Sequence, residues 1–269
     1  MVVSPGIRPD SDMRLAAYER GVQVWSEVEL AWRLNTRAGR RSTQWLCLTG
    51  TNGKTTTVGM VDSILKAAGR HSAQVGNVGL PIVYAVADDE EYEFFAVELS
   101  SFQLHWTYSL SPLASVVLNV ADDHVDWHGS FEAYKAAKAR IYENTQVACI
   151  FNEDHADTRR MVEEADVVEG ARAVSISSTE IPRVSMLGLA EDILVDRAFL
   201  KDRYHQALEL GVLTDLAQAP GQVPAQHTVE NALAAAALTR AAGIAPEHVR
   251  EGLRTYSPGA HRNQLVASA

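Results

Sequence analysis

Residues 46–57 read LCLTGTNGKTTT: an apolar run, a loop with two glycines, then Lys54 and three threonines leading into a helix-compatible stretch. This is the layout of a loop that cradles a nucleoside triphosphate. A strand delivers the chain, Gly50 and Gly53 let the backbone curl until its N–H groups face phosphate, and Lys54 adds a positive charge. Gly50, Thr51, Asn52, Gly53, Lys54, Thr55 and Thr56 are thus candidate nucleotide-binding residues, with the Thr55 hydroxyl offered to Mg²⁺. The general pattern G-x-x-x-x-G-K-[ST] wants glycine at position 48, where this chain has Leu48. The competing reading is a Gly/Asn turn between a strand and a helix with a solvated lysine.

Working outward, the pattern from Trp45 to about residue 150 alternates short apolar runs with helical stretches, which favours βαβ units and a parallel sheet. Strands are expected at 45–49, 71–75, 93–98, 115–120 and 147–151, and helices at 54–68, 130–142 and 154–165. Residues 172–224 carry short alternating segments among prolines and glycines and predict a small, partly antiparallel sheet. Helices are expected at 227–242, rich in alanine, and at 246–255, opened by Pro246. The fold class is therefore α/β: a mostly parallel sheet with flanking helices, plus a small partly antiparallel sheet. The opening MVVSPGIRPDS runs strand-like into a Pro-Gly turn with no preceding element to pair it, and reads as the trimmed tail of something longer.

At 269 residues, with 46% hydrophobic and 22% charged residues, the composition is that of an ordinary globular protein. A net charge of −10 argues against a general nucleic-acid binder, which needs clustered Lys and Arg. Cys47 and Cys149 lie in apolar runs and read as buried, reduced thiols. No charged-then-apolar leader is visible, and no apolar run approaches the roughly 20 residues of a membrane helix. A cytoplasmic location and no membrane partner are the expectations.

In open α/β sheets ligands bind beyond the carboxyl ends of the strands. Three expected strands finish there in reactive residues. One enters the phosphate loop, one (YEFFAVELSSFQL) ends at Glu98, and one (ASVVLNVADDHVDWH) ends at Asp122, Asp123 and His124. A carboxylate at Glu98 can hold Mg²⁺ directly or through water. Each has a bland alternative as a cap or turn residue; their shared sheet edge points to a metal–nucleotide site. Lys138 lies in FEAYKAAKARIYEN, where composition alone gives it no more claim than Lys135.

Taken together, TGTNGKTTT (49–57), VGNVGLP (75–81), VELSSFQLHW (97–106), LNVADDHVDWH (118–128) and AAKARIYEN (136–144) resemble the Mur ligase family. That family's shortened G-T-N-G-K-T loop accounts for Leu48. The resemblance covers roughly residues 40–265, and ELSSFQL with the following D-H-x-D looks most like the branch that joins D-glutamate to UDP-N-acetylmuramoyl-L-alanine. It implies ATP-driven amide formation through an acyl phosphate, with two Mg²⁺ ions. Lys54 would meet the β- and γ-phosphates, Thr55 and Glu98 the first Mg²⁺, and His124 the second metal or the substrate. Lys138 matches a lysine that, in the family, carries a carbamate supporting the second Mg²⁺. Asn77, Ser100 and Gln103 match substrate contacts, Ser4 in the SPG turn matches part of the UDP contact, and Asn231 and Arg262 match residues near adenine and phosphates.

Two departures accompany the resemblance. Thr228 stands where members often have a second asparagine, and the chain is short. The implied division is a remnant of a UDP-binding Rossmann-like domain over 1–40, a central domain over 41–256 and a linker over 257–269 to an absent C-terminal domain. A monomer that binds nucleotide weakly and ligates little on its own is the expectation. The alternatives are another Mur or folylpolyglutamate-synthase-like ligase, or a non-catalytic nucleotide-binding module.

Overall fold

The chain opens with β1 (Val2–Val3), α1 (Asp12–Glu19), β2 (Trp25–Ser26) and α2 (Glu27–Asn35). These coordinates are a computed structural model and describe residues 1–38, 42–217, 219 and 221–258. The opening strand finds its partner downstream: β1 pairs with β2 in parallel as a separate two-stranded sheet. Ser26 caps α2, its Oγ accepting from Glu29 N at 3.1 Å. Glu29 itself is fully buried and accepts from Tyr108 N (2.8 Å), Ser109 N (2.9 Å), Ser109 Oγ (2.8 Å) and Arg33 Nε (2.7 Å). Those donors hold its carboxyl below the usual range even though burial opposes ionisation.

From there strands and helices alternate: β3 (Gln44–Thr49), α3 (Lys54–Ala67), β4 (Ser72–Gly76), α4 (Ile82–Ala87), β5 (Phe94–Glu98) and α5 (Ser101–His105). They continue with β6 (Ala114–Val117), α6 (Val125–His128), α7 (Phe131–Ala139), β7 (Ala148–Asn152), α8 (Ala156–Glu163) and β8 (Arg172–Ser177). The chain then runs through β9 (Met186–Ala190), β10 (Ile193–Asp196), β11 (Leu208–Val212), α9 (Gln226–Ala241) and α10 (Pro246–Thr255). Nine strands form one sheet in the order β11-β10-β9-β8-β7-β6-β3-β5-β4. Pairing is parallel from β4 through to β9 and antiparallel from β9 to β11.

The small, partly antiparallel sheet expected over 172–224 is antiparallel from β9 to β11, and what is corrected is its separateness. Its strands are not a separate sheet but the far end of the large one, because β9 returns parallel to β8 with Ser175 opposite Met186. The separate small sheet, β1–β2, is parallel.

Side chains of the central strands alternate between two cores, as a period-2 strand buried on both faces requires. Leu46, Leu48, Ala96, Val116 and Ile150 face α3, α9 and α10. Trp45, Cys47, Phe95, Val97 and Cys149 face the other way, with Val28, Ala31 and Trp32 of α2 and Ile82 of α4. Both cysteines are free and buried. Residues 232–238 of α9 are fully buried, and alanine at most of these positions lets its backbone lie close to its neighbours.

The closest approach is between α10 and α3. Ser63 Oγ donates to Gly252 O at 2.7 Å, and a Cβ on Gly252 would fall on the Ile64 backbone. Gly252→Ala must push α10 away from α3. We expect it to cost about 1–3 kcal/mol, read as a lower urea midpoint.

Candidate active site

The order of the central strands reverses beside β3: the chain builds outward to β4 and β5, then crosses to β6 on the opposite flank. Loops leaving β3 and β6 therefore part at one edge of the sheet, where α/β folds open a crevice. They are cross-tied there. Asn119 Oδ1 accepts from Thr51 N (3.2 Å) and Asn52 N (2.9 Å), while its Nδ2 donates to Asn52 O (3.2 Å). The sequence reading did not single out Asn119. Its signal was an amide, both donor and acceptor, at the exit of an apolar run inside a quoted motif.

Gly53 caps α3 in the left-handed region at φ +83°, and a Cβ there would land on the side-chain oxygen of Asn231. Glycine is needed on both counts. Asn231, buried in α9, is thereby laid against the glycine loop. Thr56 follows in the first turn of α3.

Lys54 Nζ folds back on its own loop, donating to Gly50 O (2.9 Å) and Thr51 O (2.8 Å). Lys138 Nζ donates to the same Gly50 O at 2.9 Å. It lies 3.4 Å from Thr49 Oγ1 and 4.7 Å from the centre of the Tyr134 ring. Lys138 is 2% exposed, and burial pushes its ammonium down to about 7, reinforced by Lys54 and opposed by Asp123 and Glu98. Burial also lowers Lys54. Lys135, equal to it by composition, instead pairs with Glu132 at 2.8 Å and Asp157 at 3.2 Å. The signal that separates them is the buried stripe Tyr134, Ala137, Lys138 and Ile141, whose spacing excludes 135.

Glu98 is 1% exposed and joins two further expected residues. Its Oε2 accepts from Thr55 Oγ1 at 2.9 Å and its Oε1 from Asn77 Nδ2 at 3.0 Å. A carboxylate and a hydroxyl side by side are hard oxygen donors suited to Mg²⁺, which takes one or two protein carboxylates and completes its shell with phosphate and water. Among the described residues no three His, Cys, Asp or Glu side chains cluster as a metal-binding group. The site thus fits an ion shared with a phosphate rather than a protein-only cage.

His124 stands at the rim, half exposed, its Nε2 3.4 Å from Asp123 Oδ2 and its ring 4.8 Å from Phe102 and 6.3 Å from Tyr134. Tyr134 OH lies 3.1 Å from Thr51 Oγ1 and so ties α7 to the phosphate loop. Ser100 and Gln103, expected as substrate contacts, first cap α5: Gln103 N donates to Ser100 Oγ at 3.2 Å and Ser100 N to Gln103 Oε1 at 2.8 Å. Gln103 Nε2 also reaches Glu27 Oε1 at 2.7 Å. Ser4 is exposed, and its turn lies against α6, where Trp127 Nε1 donates to Gly6 O at 3.2 Å. Arg262 lies outside the described residues. No described helix is long and apolar enough to cross a membrane.

The family model for the Mur ligase middle domain matches residues 48–239. The chain belongs to the Mur ligase family. Among curated Mur ligases, the UDP-N-acetylmuramoylalanine--D-glutamate ligase of Streptomyces coelicolor is 50% identical over 267 residues, covering 99% of this chain and 55% of the relative. The protein of the same name from Leifsonia xyli is 47% identical, covering 99% of this chain and 53% of the relative. The chain thus spans about half the length of the curated relatives it matches. In fold it is similar to a solved UDP-N-acetylmuramoyl-L-alanyl-D-glutamate--2,6-diaminopimelate ligase at a TM-score of 0.65 and 20% identity, covering 91% of this chain and 57% of that one.

Lys138 carries a checkable sign. From the ordinary 10.5 it falls to about 7 in the fold, so between these values the unfolded chain binds a proton that the native chain has released. Stability should therefore gain from Lys138 as pH rises from about 7 towards 10.5, and the penalty should be full below 7. Lys138→Met should remove that gain, seen as an unfolding free energy that rises less with pH than that of wild type across this window in CO₂-free buffer.

Proposed function

We propose that this chain is the nucleotide-handling core of a ligase that uses ATP to join D-glutamate to UDP-N-acetylmuramoyl-L-alanine, through an acyl phosphate. The reading rests on one observation above the others: Lys54, Lys138, Thr55 and Glu98 meet around the phosphate loop, within hydrogen-bond reach of one another or of Gly50. The names of the most similar curated relatives support the choice of substrates.

A carboxylate is a poor electrophile, and bringing it to a triphosphate sets anion against anion, so neutralising charge is the protein's main task. Lys54, released from the Gly50 and Thr51 carbonyls, has the reach to meet the β- and γ-phosphate oxygens. The loop N–H groups behind Gly53 receive phosphate at the start of α3. Thr55 and Glu98 would hold Mg²⁺, which when bound draws negative charge from the transferring phosphoryl group. Asn77 fixes the other oxygen of Glu98 and so aims it. Asn231 borders the loop on the nucleotide side.

Lys138 suits a carbamate. An amine titrating near 7 is substantially neutral at physiological pH, and its lone pair can add to the carbon of CO₂ with loss of one proton. The product is an anion on the same buried stem, able to support a second metal with His124 at the rim. In this reading Ser4, Ser100 and Gln103 border the UDP-muramoyl substrate, residues 1–40 belong with a UDP-binding unit, and 257–269 lead towards a D-glutamate-binding one. The whole works as a cytoplasmic monomer and needs the length its relatives have.

The test joins this chain to the flanking segments of the Streptomyces coelicolor relative and follows phosphate release. Release should require both UDP-N-acetylmuramoyl-L-alanine and D-glutamate, and Lys54→Ala or Glu98→Ala should each lower it by at least about 100-fold. Lys138→Ala should be inactive and recover partly with short-chain carboxylates. Stimulation by meso-diaminopimelate or folate in place of D-glutamate would overturn the substrate assignment. Full activity of unsupplemented Lys138→Ala would remove the carbamate.

A further inference from the structure

His124 is held in an awkward place. Its backbone lies in the left-handed region at φ 52°, a conformation unfavourable for a non-glycine residue, and it opens a helix of a single turn. The other end of that turn, Gly129, is also left-handed at φ +85°. One turn fixes several dihedrals for few hydrogen bonds and does not hold itself. Whatever places His124 must therefore come from side chains that pin α6 to its neighbours.

One such pin is at the last residue of the turn. His128 Nε2 lies 3.0 Å from Oγ of Ser101, a residue 2% exposed at the start of α5. The His128 ring stacks on Phe102, with centroids 5.6 Å apart and planes 7° from parallel, and meets the edge of Tyr134 at 5.4 Å. Phe102 also touches His124 and Trp127, each at 4.8 Å. Ser101 lies three residues beyond Glu98, the last residue of β5, with only Leu99 and Ser100 between, so a pin at Ser101 references α6 to the strand that carries the metal-site carboxylate. Burial, with His105, Lys138 and His124 adding, drives His128 down to about 4. The bond at neutral pH is thus between a hydroxyl and an uncharged imidazole, which adds no third cation beside Lys54 and Lys138.

We propose that His128 is a positioning residue of this site: through its hydrogen bond to Ser101 it fixes the one-turn helix that presents His124, and with it the Tyr134 wall over Lys138. The proposal rests on the nucleotide-site reading only for its purpose. The placement of His124 can be tested without it.

The experiment uses this chain with ¹³C-labelled histidines and compares wild type with His128→Phe, Ser101→Ala, the double variant and His128→Gln. Phenylalanine keeps the stack and loses the hydrogen bond; glutamine keeps a donor and acceptor near the Nε2 position. His128→Phe and Ser101→Ala should shift and broaden the His124 ring signals in the same way, with the double variant no worse than either single one. His128→Gln should restore much of the wild-type His124 signal, and the distant histidines His205 and His248 should not move. Titrating Mg-ADP should then move His124 in wild type and His128→Gln and lose that response in the other three.

A His124 signal unchanged in His128→Phe overturns the proposal, as do additive effects of the two single variants, or a general loss of the fold in which every histidine shifts and glutamine gives no rescue. A Mg-ADP titration that moves no signal in wild type counts against the nucleotide-site reading, while the spectra of the free proteins still decide the placement of His124.

Discussion

Two ammonium groups converge on one backbone carbonyl. Lys54 and Lys138 reach Gly50 O from different elements, one from the first residue of α3 and the other from the buried stripe of α7. Burial disfavours the charged form and lowers the proton affinity of both lysines, with Lys54 adding to the effect on Lys138. Nothing in the packing of the sheet demands this pair. An arrangement that works against stability and gathers around a glycine loop marks a candidate functional site.

The rest of the crevice serves that pair. Strand order puts the exits of β3, β5 and β6 side by side, so Gly50, Glu98 and Asn119 meet without any long excursion of the chain. Glu98 supplies the compensating negative charge and is held from two sides by Thr55 and Asn77. Glycine at 53 removes the one side chain that would separate the loop from Asn231. Further out, α6 bridges the N-terminal turn and the crevice: Arg8 Nη1 donates to Asp126 O at 3.1 Å, and Trp127 donates to Gly6 O. A change at Gly6 or Arg8 therefore reaches the turn that carries His124.

Much of this was legible in the sequence because it follows from short-range rules. The strand into the loop, the helix begun at Lys54, and the helices ending near residues 241 and 255 fall within a residue or two of the periodicity that foretold them. Motif order also placed Glu98 beside Thr55. What the sequence could not specify was tertiary. Whether 186–212 formed a separate sheet depended on β9 docking alongside β8, a pairing that no local signal encodes. The β1 partner lay more than twenty residues downstream, in a two-residue strand too short to register as a pattern. The resemblance assigns Ser100 and Gln103 to the substrate, and in the structure the same two residues form a reciprocal cap on α5, which the S-x-x-Q spacing itself encodes. Asn119, Ser101, Tyr134 and His128 are polar or amphipathic groups whose partners sit on other elements, so they emerge only once the sheet is assembled.

The central claim is that these strand exits form one pocket for one metal-bound triphosphate, and a crystal structure of this chain with Mg²⁺ and a non-hydrolysable ATP analogue tests it most directly. The account predicts Lys54 Nζ withdrawn from the Gly50 and Thr51 carbonyls onto the β- and γ-phosphates, a Mg²⁺ ion touching Thr55 and Glu98, and Asn231 beside the nucleotide. A triphosphate bound elsewhere, or bound here with Lys54 still folded on its own loop and no metal between Thr55 and Glu98, would contradict it.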